Sequence, residues 1–89
     1  MGERQDSSTP IDQAVNIGKV LAERLRAVDV PSLEKLKEIG DTEAYTRLAA
    51  LYPESCYHER LALAGAVRDV RWHYLSKEVK EAVRTEVEQ

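Results

Sequence analysis

The residues in this chain best suited to chemistry lie in Asn16-Ile17-Gly18-Lys19, with Arg24 and Arg26 following on the same segment. Ile17 sits between Asn16 and Gly18, two residue types that reach positive φ at low cost: Asn because its short amide bonds locally, Gly because it has no Cβ. A turn of this kind opening a helix aims successive backbone N–H groups outward, where they can hold an anion. The chemistry expected is binding of a phosphate by the peptide groups near Asn16, Ile17, Gly18 and Lys19, with Lys19, Arg24 or Arg26 adding charge. The same residues also fit a plain helix-joining turn in which Ile17 enters the core. Lys19, Glu23 and Arg26, at i, i+4 and i, i+3 spacing, equally fit a solvated face that pairs with itself.

Other reactive side chains form no comparable group. Cys56 and His58 are two residues apart and so point to nearly opposite sides of a helix. With His73 they fall short of the four ligands of a closed zinc site. Cys56 is expected in the core and His58 on the surface. Arg71-Trp72-His73 lies at a helix end, where cations favour the unpaired carbonyls, and Trp72 is expected to seal the core rather than anchor a partner. Tyr45, Tyr52, Tyr57 and Tyr74 could stack bases, but Tyr45 and Tyr52 share a face with Leu48, and packing explains them better. No glycine-rich nucleotide loop, paired-carboxylate site or Ser/His/Asp order is present, so the reading is a non-enzymatic protein without cofactor or metal.

Composition bounds the partners. Hydrophobic residues make up 43% and charged residues 33% of the 89 residues, the balance of a single soluble globular domain. The net charge of −3 counts against strong unspecific DNA binding, which needs a basic patch or stripe. The longest apolar run, Leu61 to Val67, is too short to span a bilayer, and one cysteine cannot form an internal disulfide. A cytoplasmic protein without a membrane segment is expected.

The elements that must position the turn read as all-α. Residues 1–8 are expected to be a flexible lead-in and 9–89 the folded domain. Thr9-Pro10 starts a short helix with Thr9 as cap, ending at Asn16–Gly18. A helix from Lys19 to about Val28 carries Leu21, Ala22, Leu25 and Val28 on one face. Asp29 follows in the left-handed region, and Val30 turns inward. Pro31 blocks continuation, Ser32 caps the next helix with Leu33, Leu36 and Ile39 inward, and Gly40 stops it. Asp41 caps a helix with Ala44, Tyr45, Leu48, Leu51 and Tyr52 on one side, ended by Pro53. The helix from about Ser55 to Val70 carries Leu61, Leu63, Ala64, Val67 and Val70 in two stripes and a small face of Ala62, Gly65 and Ala66. Apolar on several sides, it should be central. Ser76 caps a last helix with Val79, Ala82, Val83 and Val87 inward.

Asn16-Ile17-Gly18 with Leu21-Ala22-Glu23-Arg24-Leu25, Ser32-Leu33-Glu34-Lys35-Leu36, Ala44-Tyr45, Cys56, Gly65-Ala66-Val67-Arg68 and Arg71-Trp72-His73 before Leu75 resemble the C-terminal domain of the TfoX/Sxy family in order and spacing. The similarity runs from about Ile11 to Val83. That family includes regulators of bacterial competence for DNA uptake, and in its larger members this domain follows an α/β domain with no counterpart here. The resemblance implies a compact bundle of five to six short helices with helix-hairpin-helix-like units, similar to SAM and Rad51 N-terminal domains, and a link to DNA or regulation. The chain departs from DNA-gripping hairpins by Asn16 in place of a first Gly, and by Asp29, whose charge disfavours a nearby phosphate. The expected role is a small binding module for DNA or a regulatory protein; the alternatives are a protein–protein adaptor, a homo-oligomer, or the detached partner of a separately encoded α/β half.

Overall fold

The computed structural model describes residues 9–88 apart from residue 56; the expected lead-in and the placement of Cys56 lie outside the described residues. It contains α1 (Lys19–Ala27), α2 (Leu33–Ile39), α3 (Asp41–Leu51), α4 (Tyr57–Val67) and α5 (Lys77–Glu88), with single 3-10 turns at Ile11–Gln13 and Trp72–Tyr74. No strand occurs among the described residues, and none of their helices is long and apolar enough to cross a membrane. The fold is the expected all-α bundle.

Local stops are where the residue types demand them. Ser32 Oγ accepts from the Lys35 N–H at 3.1 Å, and Ser76 Oγ from the Val79 N–H at 3.2 Å. Gly40, at φ 89°, ends α2 and opens α3. Asp29 takes φ 68°, with Val30 N–H bonded to Leu25 O at 2.8 Å and Asp29 N–H to Arg26 O at 3.1 Å, the paired bonds of a Schellman turn. The same device recurs at the end of α4. There Asp69 takes φ 58°, Val70 N–H bonds Gly65 O, and Asp69 N–H bonds Ala66 O. Lys37 holds the Asp69 carboxylate at 2.8 Å.

Several expectations are corrected. The segment ahead of Asn16 is one 3-10 turn, because Thr9 does not cap it. Thr9 donates from N–H and Oγ1 to Glu34, and a bridge between Pro10 and Ser32 ties the segment to the start of α2. These Thr9 donors hold the Glu34 carboxyl below the usual carboxylate range. The helix-hairpin-helix unit is therefore not formed as two α-helices about the Asn16–Gly18 turn. Asp41 lies in the first turn of α3 with Gly40 in the cap position. Leu51 is 54% exposed because α3 ends there, Val70 lies beyond the end of α4, and Ala82 faces solvent.

α4 is central, as its pattern predicts: Arg60 through Ala66 are all buried. One side, Ala62, Leu63 and Ala66, closes the main core with Ile11, Ile17, Leu21, Leu25, Val30, Leu36 and Leu48. The other side, Leu61 and Ala64, packs a smaller core with Leu75 and Val83, against which Trp72, Val79 and Val87 are half-buried.

Gly65 is the closest approach in this arrangement. A Cβ there would lie 2.6 Å from Val70 O and would collide with Nδ2 of Asn16. In an ordinary helix interior Gly→Ala gains up to about 1 kcal/mol. Here Gly65→Ala is expected to destabilise by about 1–3 kcal/mol, the overpacking cost, as read from the urea midpoint.

Candidate functional site

The Asn16–Lys19 turn is built by long-range contacts as much as by its own chemistry. Asn16 adopts φ 73°, as its type allows. Its amide donates from Nδ2 to Val70 O at 2.9 Å and accepts at Oδ1 from the Trp72 N–H at 3.1 Å, across the gap that Gly65 leaves open. Asn16 thus clamps the turn to the segment after α4. Ile17 is 6% exposed and packs in the main core, its N–H bonded to Ala14 O at 3.2 Å. Gly18 does not use its conformational freedom: φ is −87° with extended ψ, and open space surrounds the position a Cβ would take.

What remains open is the start of α1. Among the described residues, the N–H groups of Gly18, Lys19 and Val20 have no bonding partner; the first bond into the helix runs from Ala22 N–H to Gly18 O at 2.9 Å. Of these three exposed residues, Gly18 and Lys19 border a shallow depression of about 460 Å³, lined also by Asp12, Ile17, Ala22, Glu23 and Arg26. Lys19 is exposed and has no carboxylate partner among the described residues. Arg26 is held by Asp12 at 3.4 Å, and the Lys19–Glu23–Arg26 self-pairing is not formed.

Arg24 is turned elsewhere. Its guanidinium reaches Glu59 and Glu54, each at 3.0 Å, and stacks over the Tyr52 ring with 4.7 Å to the centroid. It joins α1 to the α3–α4 connection. Of the six residues expected at a phosphate site, the structure therefore brings Gly18, Lys19 and Arg26 to one surface depression, turns Asn16 and Arg24 to protein partners, and buries the Ile17 side chain. The partners Val70, Trp72 and Glu59 lie 54, 56 and 35 positions along the chain, so no local signal pointed to them.

No three His, Cys, Asp or Glu side chains among the described residues converge where they could hold a metal ion. The buried polar group that matters is Arg60, 3% exposed, which donates to Asp41 Oδ2 at 2.7 Å, to Thr42 Oγ1 at 3.1 Å and to Glu86. It joins the start of α3 to α5 through α4.

A family model for the TfoX C-terminal domain matches residues 7–87. The chain belongs to this family. Two crystal structures share the fold of this TfoX C-terminal domain. One is of an uncharacterised protein from Listeria monocytogenes in a triclinic form, 31% identical, with a TM-score of 0.88, 90% of this chain and 91% of that chain covered. The other is of a protein of unknown function from Listeria monocytogenes in a tetragonal form, 34% identical, with a TM-score of 0.80, 82% of this chain and 89% of that chain covered. No curated protein matches the chain. The matched range covers nearly the whole chain, so the start of α1 and Arg60 both lie within it.

Burial pushes the Asp41 carboxyl up, but the bond and charge of Arg60, with Arg68 at 3.6 Å adding to it, hold it below its ordinary value of 3.8. A carboxylate whose folded value is lowered contributes stability above its unfolded value, and that stability is lost as pH falls through the folded value. Asp41→Asn is expected to cost about 2 kcal/mol near neutral pH, the loss of a charge-assisted bond. Thermal melts from pH 6 downward should show the gap between wild type and Asp41→Asn closing below about pH 4, as Asp41 titrates.

Proposed function

We propose that this TfoX C-terminal domain is a non-enzymatic binding module that takes an anionic partner, a backbone phosphate of DNA, at the start of α1. The observation that carries the reading is the set of N–H groups at the exposed residues Gly18, Lys19 and Val20, which have no bonding partner among the described residues, beside a Lys19 side chain with no carboxylate partner among them. Helix N-terminal peptide groups favour negative charge through their orphan donors and the helix dipole, and α1 has nine residues over which that dipole builds. Arg26 lines the same depression, while Asp12 and Glu23 oppose it. The contact is thus a single positioning contact with modest affinity, in keeping with a net charge of −3.

A regulatory protein partner is the second reading. It is favoured by Val20, 61% exposed on the same first turn of α1. A protein partner would cover this side chain, whereas a phosphate needs only the peptide groups behind it.

Anisotropy of a short labelled duplex at low and moderate salt separates the two. Lys19→Pro removes both the charge and one N–H at a helix position where proline is tolerated, and the extended Gly18 before it accommodates the ring. The expected outcome is duplex binding at low salt that Lys19→Pro weakens several-fold, with the salt slope reduced by about 1. Absence of binding at low salt removes the DNA reading. A Val20→Asp variant that abolishes capture of a protein partner, with duplex binding absent, supports the second.

A further inference from the structure

We propose that a second surface, formed by the 71–74 segment, the first turn of α4 and the adjoining flank of α5, is a stacking platform for single-stranded nucleic acid. This inference stands apart from the α1 reading and uses none of its residues.

Five rings from two separate elements form a continuous row. Centroid separations are 6.2 Å for Tyr57–His58, 5.7 Å for His58–Trp72, 4.8 Å for Trp72–His73 and 5.4 Å for His73–Tyr74. Core packing accounts for two of the five: Tyr57 and Trp72 are half-buried against Leu61, Leu75 and Val83. It does not account for His58, His73 and Tyr74, which are exposed, Tyr74 to 77%.

The charges around the row are segregated. Arg24, Arg26, Lys35, Lys37, Arg47, Arg60 and Arg68 each have a carboxylate within 4.0 Å. Among the described residues, and apart from Lys19 at the start of α1, the cations without one are Arg71, Lys77, Lys80 and Arg84, although the chain carries 16 acidic residues against 13 basic ones. All four flank the rings. Lys80 Nζ donates to His73 O at 3.2 Å, Tyr57 OH donates to Lys80 O at 3.4 Å, and the Arg84 guanidinium lies over the Tyr57 ring at 5.7 Å. Lys77 is three residues before Lys80 on the same side of α5, and Arg71 adjoins Trp72. Glu81 shares this side of α5 and forms no ion pair with Lys77 or Arg84; Glu78 lies further round.

Unpaired cations beside exposed rings match a partner that repeats a negative charge and a flat π face along its length. Single-stranded nucleic acid presents both. In a duplex the base faces are already stacked on one another, and an acidic peptide supplies the charge without the rings.

Trp72 is the sole tryptophan, so its fluorescence reports on this surface directly. Titration of the intact chain with oligothymidylate at low salt is expected to quench Trp72. Tyr74→Ala, an exposed change whose unchanged thermal melt verifies folding, should weaken binding about tenfold. Lys77→Glu should weaken it further at low salt than at high salt, and Glu81→Gln should strengthen it. Three results would overturn the proposal: no quenching by oligothymidylate, equal quenching by polyglutamate, or affinity unchanged in Tyr74→Ala. None of them bears on duplex binding at the start of α1.

Discussion

The side-chain amide of Asn16 reaches Val70 O and the Trp72 N–H only because residue 65 has no side chain, and the relative placement of the two ends of the fold depends on that reach. The two bonds imitate one rung of a sheet between segments that are otherwise helical or turning. On one side they hold a left-handed residue two positions before the cap of α1; on the other they hold the peptide groups that lead into the Trp72–Tyr74 turn. The start of α1 and the row of rings are therefore anchored at the same point. The clamp is only partly buried, yet leaving one of its two bonds unmade costs stability, so it favours one arrangement of the chain.

Arg60 performs the corresponding task on the opposite side of α4. A helix buried from residue 60 to residue 66 leaves no wet face for a guanidinium, so its charge must be matched inside the protein. Asp41, Thr42 and Glu86 supply that match, and in doing so fix α5 against α3. Removing one partner leaves a buried charge incompletely compensated, which is costly whatever the intact network contributes. Together the two devices explain how two small cores on opposite faces of one helix stay in register.

Much of this architecture could be read in the sequence because it is encoded locally. The Ser32 and Ser76 caps, the Gly40 stop, the left-handed Asp29 and the central place of α4 each follow from a residue type and its immediate neighbours. What could not be read is long-range. Asn16 was legible as a positive-φ residue, but nothing near it announces that its amide bonds residues 54 and 56 positions away. Gly18 looked like the flexible partner of Asn16, yet the clamp lets the chain turn with one left-handed residue, and Gly18 is merely the open cap of α1. In the sequence Arg24 is expected to add charge at the Asn16–Lys19 turn; Glu54 and Glu59, brought up by the α3–α4 connection, redirect it. Leu51 and Val70 continue a helical stripe in the sequence, but Leu51 is the last residue of α3 and Val70 lies beyond the end of α4. Asp69 repeats the Asp29 signal and was recognisable from the likeness of Ala27-Val28-Asp29-Val30 to Val67-Arg68-Asp69-Val70.

The most direct measurement of the clamp is native-state hydrogen exchange at the Trp72 amide in Asn16→Gly. Glycine keeps the left-handed backbone at no steric cost and removes only the side-chain bonds. If the clamp organises both surfaces, the Trp72 amide is protected in the wild type and exchanges at least about tenfold faster in Asn16→Gly, while amides in the middle of α4 keep their protection relative to global stability. Equal Trp72 protection in the two proteins would show that the 70–74 segment is held by its own packing, and that the two ends of the fold are not joined through Asn16.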